Sequence, residues 1–194
     1  MVLIAEYGHI LIALACVIGF FMAWGMGAND VSNAMGTSVG SKALTIKQAI
    51  CIAIVFEFLG AYFAGGEVTS TIRNGMIDAN IIPPDLLVYG MMSTLLATAT
   101  WLVIATFMGW PVSTTHTVVG ALVGFAAVGV GVESVQWDKL GNIVMSWVAS
   151  PLLAGLMSYA LFRSVQRLIL DTNDPFTQAK RFIPLYIFFT GFMI

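Results

Sequence analysis

Charge is what this 194-residue sequence has least of. Asp, Glu, Lys and Arg together make up 9% of the residues, while hydrophobic residues make up 59%. A soluble domain carries about 25% charged residues, so this chain cannot cover a water-facing surface. Mean hydropathy is +0.92, and a lipid bilayer must be much of its solvent. Basic residues are too few and too scattered for a stripe, which excludes nucleic acid as a partner. The formal net charge of −2 carries no further information. Cysteine is scarce too. Cys16 and Cys51 each lie inside an apolar run, where they read as small buried apolar residues with no disulfide framework. The N-terminus lacks the basic region of a secretory signal: its first charge is Glu6. The first apolar run is therefore expected to stay as a membrane span.

What is present is a series of apolar runs. A spanning helix needs about 20 mostly apolar residues. The runs 9–28, 86–108 and 142–162 meet that length. Run 48–64 is shorter and holds Glu57, and 117–132 is short and glycine-rich. A last run begins near Phe182 and is still apolar at Ile194, which reads as a helix cut short in a truncated sequence. The predicted fold class is all-α: a polytopic transmembrane bundle with broken helices, forming one transmembrane domain over 1–194.

The few charges orient the spans by the positive-inside rule. Arg163, Arg167, Lys180 and Arg181 share one connection, and Lys42 and Lys47 share another, so both are expected in the cytoplasm. Segment 65–85 holds Glu67, Asp78 and Asp85 against Arg73. Segment 131–142 holds Glu133 and Asp138 against Lys139. Both suit the outside. If 117–132 crosses, the assignments alternate and the N-terminus lies outside. Segment 171–180, with Asp174-Pro175, reads as a loop before the last span.

Two segments are too polar for lipid and too apolar for a solvated loop. The first runs from Trp24 through Gly27-Ala28-Asn29-Asp30-Val31-Ser32-Asn33-Ala34 to Ser41. Gly25, Gly27, Gly36 and Gly40 permit backbone breaks or close helix approach. Asp30 is its key residue. A carboxylate in mid-bilayer costs about 2.5–3.5 kcal/mol on insertion scales, and a bound Na⁺ would offset that. Asn29, Asp30, Ser32, Asn33, Thr37 and Ser38 offer oxygen ligands, and unwound backbone would add carbonyls. The competing reading makes Asp30 and Asn33 helix caps at a membrane surface.

The second segment is Gly109-Trp110-Pro111-Val112-Ser113-Thr114-Thr115-His116-Thr117. Its proline and hydroxyls predict a helix N-terminus, whose free N–H groups and dipole favour an anion. Gly120 and Gly124 follow as a small-residue packing face. An ordinary polar turn is the competing reading, and His116 is equally a structural histidine or a ligand. Glu57, inside a span, is a transport-coupling candidate unless it pairs with a neighbouring helix or lies nearer the interface. No Lys or Arg is placed to meet an anion at the midplane. Anion binding would then depend on a co-bound cation, which is the basis of symport.

With these residues in view, the chain resembles the inorganic phosphate transporter family, often called PiT. The octapeptide at 27–34 matches that family's signature, with Ser32 where alanine is common. Residues 35–45, Pro111-Val112-Ser113-Thr114-Thr115-His116 and 147–151 also fit. The resemblance implies a symporter of inorganic phosphate with Na⁺ or H⁺ and no cofactor beyond that ion. It implies two halves in inverted repeat, with a re-entrant hairpin, each half carrying a signature. It assigns Asn29, Asp30 and Asn33 to the cation, and Asn33, Ser113, Thr114 and Thr115 to phosphate. Glu57 matches a family glutamate linked to transport. Only one signature copy is present, so a missing C-terminal half, or less simply a homodimer, would complete the site. The short loops suggest a bacterial inner membrane. Transport of a related oxyanion such as sulfate, a passive channel, and an intramembrane enzyme built on Ser113, His116 and Asp30 are the alternatives.

Overall fold

The computed structural model describes residues 2–77 and 81–193. Its described elements are helical: α1 (Val2–Gly40), α2 (Ile46–Gly75), α3 (Pro84–Met108), α4 (Thr114–Gly129), α5 (Trp137–Val165) and α6 (Pro175–Met193). A one-turn 3₁₀ helix (Val132–Ser134) precedes α5, and a π-helical turn (Gln166–Leu170) follows it. Among the described residues, four helices are long and apolar enough to span a membrane: Glu6–Gly40, Ile46–Gly66, Pro84–Met108 and Trp137–Leu170. Helix α4 has 16 residues. At 1.5 Å per residue it reaches about 24 Å, short of a hydrocarbon core of about 30 Å.

Local sequence explains where helices stop. Both α1 and α3 end in the same six-residue motif. After α1, Ala43 N–H donates to Ser38 O (3.0 Å) and Lys42 N–H to Val39 O (3.0 Å), with Lys42 left-handed at φ 62°. After α3, Trp110 N–H donates to Ala105 O (2.8 Å) and Gly109 N–H to Thr106 O (3.1 Å), with Gly109 at φ 69°. The left-handed residue satisfies carbonyls that the helix end would orphan. Pro111 then forbids continuation. Helix α2 opens on a reciprocal cap between Thr45 and Gln48, and α3 opens with a proline in its first turn.

Several sequence expectations change here. The signature segment does not unwind, since α1 is helical to Gly40. Two of its polar side chains bond within their own helix: Ser32 Oγ donates to Ala28 O at 2.7 Å, and Asn33 Nδ2 to Asn29 Oδ1 at 3.0 Å. The break falls instead at 109–113. The loop expected at 171–180 shrinks to 171–174, because Asp174 accepts from Thr177 N–H (3.2 Å) and starts α6 at Pro175. Cys16 and Cys51 are free, but exposed rather than buried, on helix surfaces that lipid would cover. Asp78 and Ile194, and the side chains of Glu67 and Arg73, lie outside what is described.

The chain forms two compact units, Met1–Leu140 and Gly141–Ile194. In the first, α3 packs on α1 and on α4. A Cβ on Gly25 of α1 would sit 3.3 Å from Leu102 Cβ, so glycine permits the close α1–α3 approach. Gly27, Gly36, Gly40, Gly120 and Gly124 face open space, so the packing face expected on α4 has no neighbour here. Gly90 lies under the Phe125 ring, which would overlap any Cβ there. Residues 11–15 line a cavity with 87–95, Gly25 meets Leu102, and Asn29 meets Thr106 and Trp110. Helices α1 and α3 therefore run parallel. The connections before α3 and after α4 meet: Ile77 pairs with Val135, and Gln136 N–H donates to Met76 O at 3.0 Å. Met76, Ile77, Ser134 and Val135 are all buried. The start of α1, Met76-Ile77 and segment 131–136 thus share one end of the unit.

In the second unit, α5 has no buried residue over its helical span. Ile169 is buried, and Ser164 Oγ lies 2.7 Å from Tyr186 Oη. Lys180 and Arg181 lie on α6 rather than in a loop, stacked over Phe176 and Phe182.

Candidate functional site

The two polar segments meet. Asn29 and Asp30, on α1, reach the break between α3 and α4, more than 75 residues away in sequence. Thr114, the first residue of α4, donates its hydroxyl between Asp30 Oδ1 (3.0 Å) and Oδ2 (2.9 Å). The Asp30 carboxylate therefore lies at the first turn of α4. Ser113 caps that helix: its Oγ accepts the His116 N–H at 3.3 Å, and its carbonyl accepts the Thr117 hydroxyl at 2.9 Å. The predicted helix N-terminus is present, and the site's negative charge already stands beside it.

Asn29 is 5% exposed. Its Nδ2 donates to Trp110 O at 3.1 Å and, more weakly, to Thr106 Oγ1 at 3.5 Å. Its Oδ1 accepts Val112 N–H at 3.3 Å and Asn33 Nδ2 at 3.0 Å. This departs from the expectation of a side chain offered to a cation. Thr106 and the Trp110 carbonyl were not singled out in the sequence. The available signal was a hydroxyl three residues before Gly109 at the end of an apolar run.

The remaining candidates scatter around this centre. Ser113, Thr115, His116 and Asn33 are exposed. His116 lines an open groove of about 410 Å³ with Trp101, Thr117 and Gly120. Glu57 lines a groove of about 340 Å³ between α1 and α2 with Ala28, Ser32 and Ala53. Among the described residues no three His, Cys, Asp or Glu side chains gather to hold a metal ion. Ser113 accepts the His116 backbone N–H as a cap, and Asp30 bonds Thr114.

A sequence model described as "Phosphate transporter family" matches residues 26–193. The chain belongs to the phosphate transporter family. "Putative phosphate permease" of Haemophilus influenzae is 53% identical over 196 residues, covering 100% of this chain and 47% of the relative. "Inorganic phosphate transporter 2-1, chloroplastic" of Arabidopsis thaliana is 46% identical over 89% of this chain and 30% of its own length. A solved structure, "The sodium-dependent phosphate transporter", superposes with a TM-score of 0.82 at 43% identity, over 87% of this chain and 42% of that one. The chain thus spans about half the length or less of these relatives. With this family fold and its apolar helices it is a multi-pass membrane protein. The relatives are transporters and permeases, which sets the enzyme alternative aside.

Proposed function

We propose that this chain forms part of a symporter that carries inorganic phosphate across a membrane with Na⁺ or H⁺, and that Asp30 is its coupling carboxylate. The observation that carries this is the Asp30–Thr114 pair at the N-terminus of α4. A helix N-terminus attracts phosphate, but a carboxylate already stands there. Two unit charges 4 Å apart repel by about 4 kcal/mol at an effective dielectric of about 20, close to a thousandfold in affinity. A cation on Asp30 removes that penalty and turns the site from repelling phosphate to accepting it. Each cargo then favours the other by the same factor.

Asp30 holds the cation with oxygens from its neighbours, and Ser113, Thr114 and Thr115 with Asn33 face phosphate. Na⁺ is favoured over H⁺ by the supply of neutral oxygens and by the sodium dependence named for the solved relative. A second half completes the site, in preference to a second copy of this chain. Glu57 and His116 are coupling candidates outside the central pair. The protein resides in a bacterial inner membrane with its N-terminus outside. Cysteine at residue 3 is then labelled from the periplasmic side, and labelling only from the cytoplasm would overturn that orientation.

Uptake of labelled phosphate by the full-length protein, with and without a Na⁺ gradient, tests the function. Concentrative uptake is expected, and Asp30→Asn should abolish it. Uptake indifferent to Asp30→Asn removes this site, and uptake that only equilibrates makes the protein a channel. Sulfate is the other substrate to test. It lacks the proton that hydrogen phosphate can donate to a carboxylate, so excess sulfate should not compete.

A further inference from the structure

We propose that Asn29 is a positioning residue, whose carboxamide locks the break between α3 and α4 and so holds the Thr114 hydroxyl on Asp30, rather than a ligand of the transported ion. The proposal rests on the reading of Asp30 as the coupling carboxylate. A carboxamide has two N–H donors and one oxygen with two lone pairs. Asn29 uses all four: Trp110 O at 3.1 Å and Thr106 Oγ1 at 3.5 Å take the hydrogens, while Val112 N–H at 3.3 Å and Asn33 Nδ2 at 3.0 Å fill the oxygen. A carbonyl only accepts and an N–H only donates, so these partners fix which way the amide points. At 5% exposure the group has no open side for cargo.

The break supplies the need for such a group. At 109–113 the backbone is outside any helix, and Pro111 contributes no N–H. Backbone polar groups at membrane depth must find partners within the protein. Asn29 serves one carbonyl and one N–H on either side of Pro111. Val112, which it holds, is two residues from Thr114, and Asn29 is covalently next to Asp30. Clamping the first pair therefore sets the second, at 3.0 and 2.9 Å. Few side chains substitute. Aspartate keeps the acceptor but turns an oxygen toward the Trp110 carbonyl, and alanine serves neither group.

The test uses the purified full-length transporter and the variants Asn29→Ala, Asn29→Asp and Leu122→Ala, the last a truncation in the α4 core (0% exposed) away from the break. Melting temperature is read without Na⁺ or phosphate, and the half-saturating Na⁺ concentration is read from uptake. A clamp predicts that both Asn29 variants melt lower without any cargo and need at least about tenfold more Na⁺. Leu122→Ala should melt lower and keep the wild-type Na⁺ requirement. Asn29→Asp with an equal or lower Na⁺ requirement would identify a cation ligand and overturn the proposal. So would Asn29→Ala with unchanged cargo-free melting. If wild-type uptake ignores Na⁺, the coupling reading fails, while the cargo-free melting temperatures still decide whether Asn29 is a clamp.

Discussion

Thr114 has one hydroxyl proton and shares it between both oxygens of Asp30. Valine has nearly the same shape and no proton to give. A hydrogen bond to a charged group contributes about 1.5–3 kcal/mol. Thr114→Val should therefore change the Na⁺ concentration for half-maximal uptake by about tenfold to a hundredfold, with the protein still folded. A Na⁺ titration of phosphate uptake checks this, and an unchanged midpoint would remove the pair from the coupling site. Both partners could be nominated from the sequence, because an intramembrane carboxylate and a run of hydroxyls before an apolar helix are local signals. Their union could not. They are 84 residues apart, and only the parallel packing of α1 on α3 brings them together. Asn29 was read from its neighbours as another cation ligand. Its saturation depends on Thr106, Trp110 and Val112, which no spacing rule links to it.

Among the elements, those bounded by strong terminators were the most legible. The run 86–108 differs from α3 by two residues at its start, because Pro84 and Gly109 mark both ends. Run 9–28 fell short of α1, since Asn29, Asp30, Ser32 and Asn33 look like helix breakers. Side-chain bonds one turn back, from Ser32 and Asn33, keep that stretch helical. Lys42 occupies the left-handed position after α1, where a residue with a Cβ costs about 1–2 kcal/mol. Lys42→Gly should raise the melting temperature, to the extent of about 1 kcal/mol, in a thermal unfolding assay. Gly90 faces the opposite constraint. Gly90→Ala should displace the Phe125 ring and cost about 1–3 kcal/mol. Adding Phe125→Leu should recover part of that loss, which a double-mutant cycle would detect. Helix α6 responds to acid instead. Hydrogen bonds from Thr177 hold the Asp174 carboxyl below its ordinary value of 3.8. A carboxyl lowered in the folded state stabilises it above the unfolded pKa and loses that effect as pH falls through the folded value. The protection factor of the Thr177 amide, its exchange rate relative to the unstructured chain at the same pH, should therefore fall in acid, and Asp174→Ala should show the lower protection factor at neutral pH as well.

For the whole molecule, topology follows from which ends meet. The Ile77–Val135 pairing and the parallel course of α1 and α3 put three segments at one end of the first unit. Ile81 and Val132 are exposed there. In a background lacking Cys16 and Cys51, cysteines placed at 81 and 132 should react with an impermeant maleimide from the same side. A cysteine at Ser41, beyond α1, should react from the opposite side. Reaction of 81 and 132 from opposite sides would break the arrangement. The charge pattern assigns segments 65–85 and 131–142 to one side from their acidic excess, which this labelling tests. It could not reveal that a single backbone bridge ties them.

The unbroken course of α1 has a mechanical consequence. Asp30 is mounted on a 39-residue helix with no break where the carboxylate sits, while its hydroxyl partner follows the break at 109–113 that Asn29 bridges. A rod transmits displacement along its length. A push at either end of α1 should therefore carry the carboxylate bodily and, through the Asn29 bonds, the 109–113 segment with it.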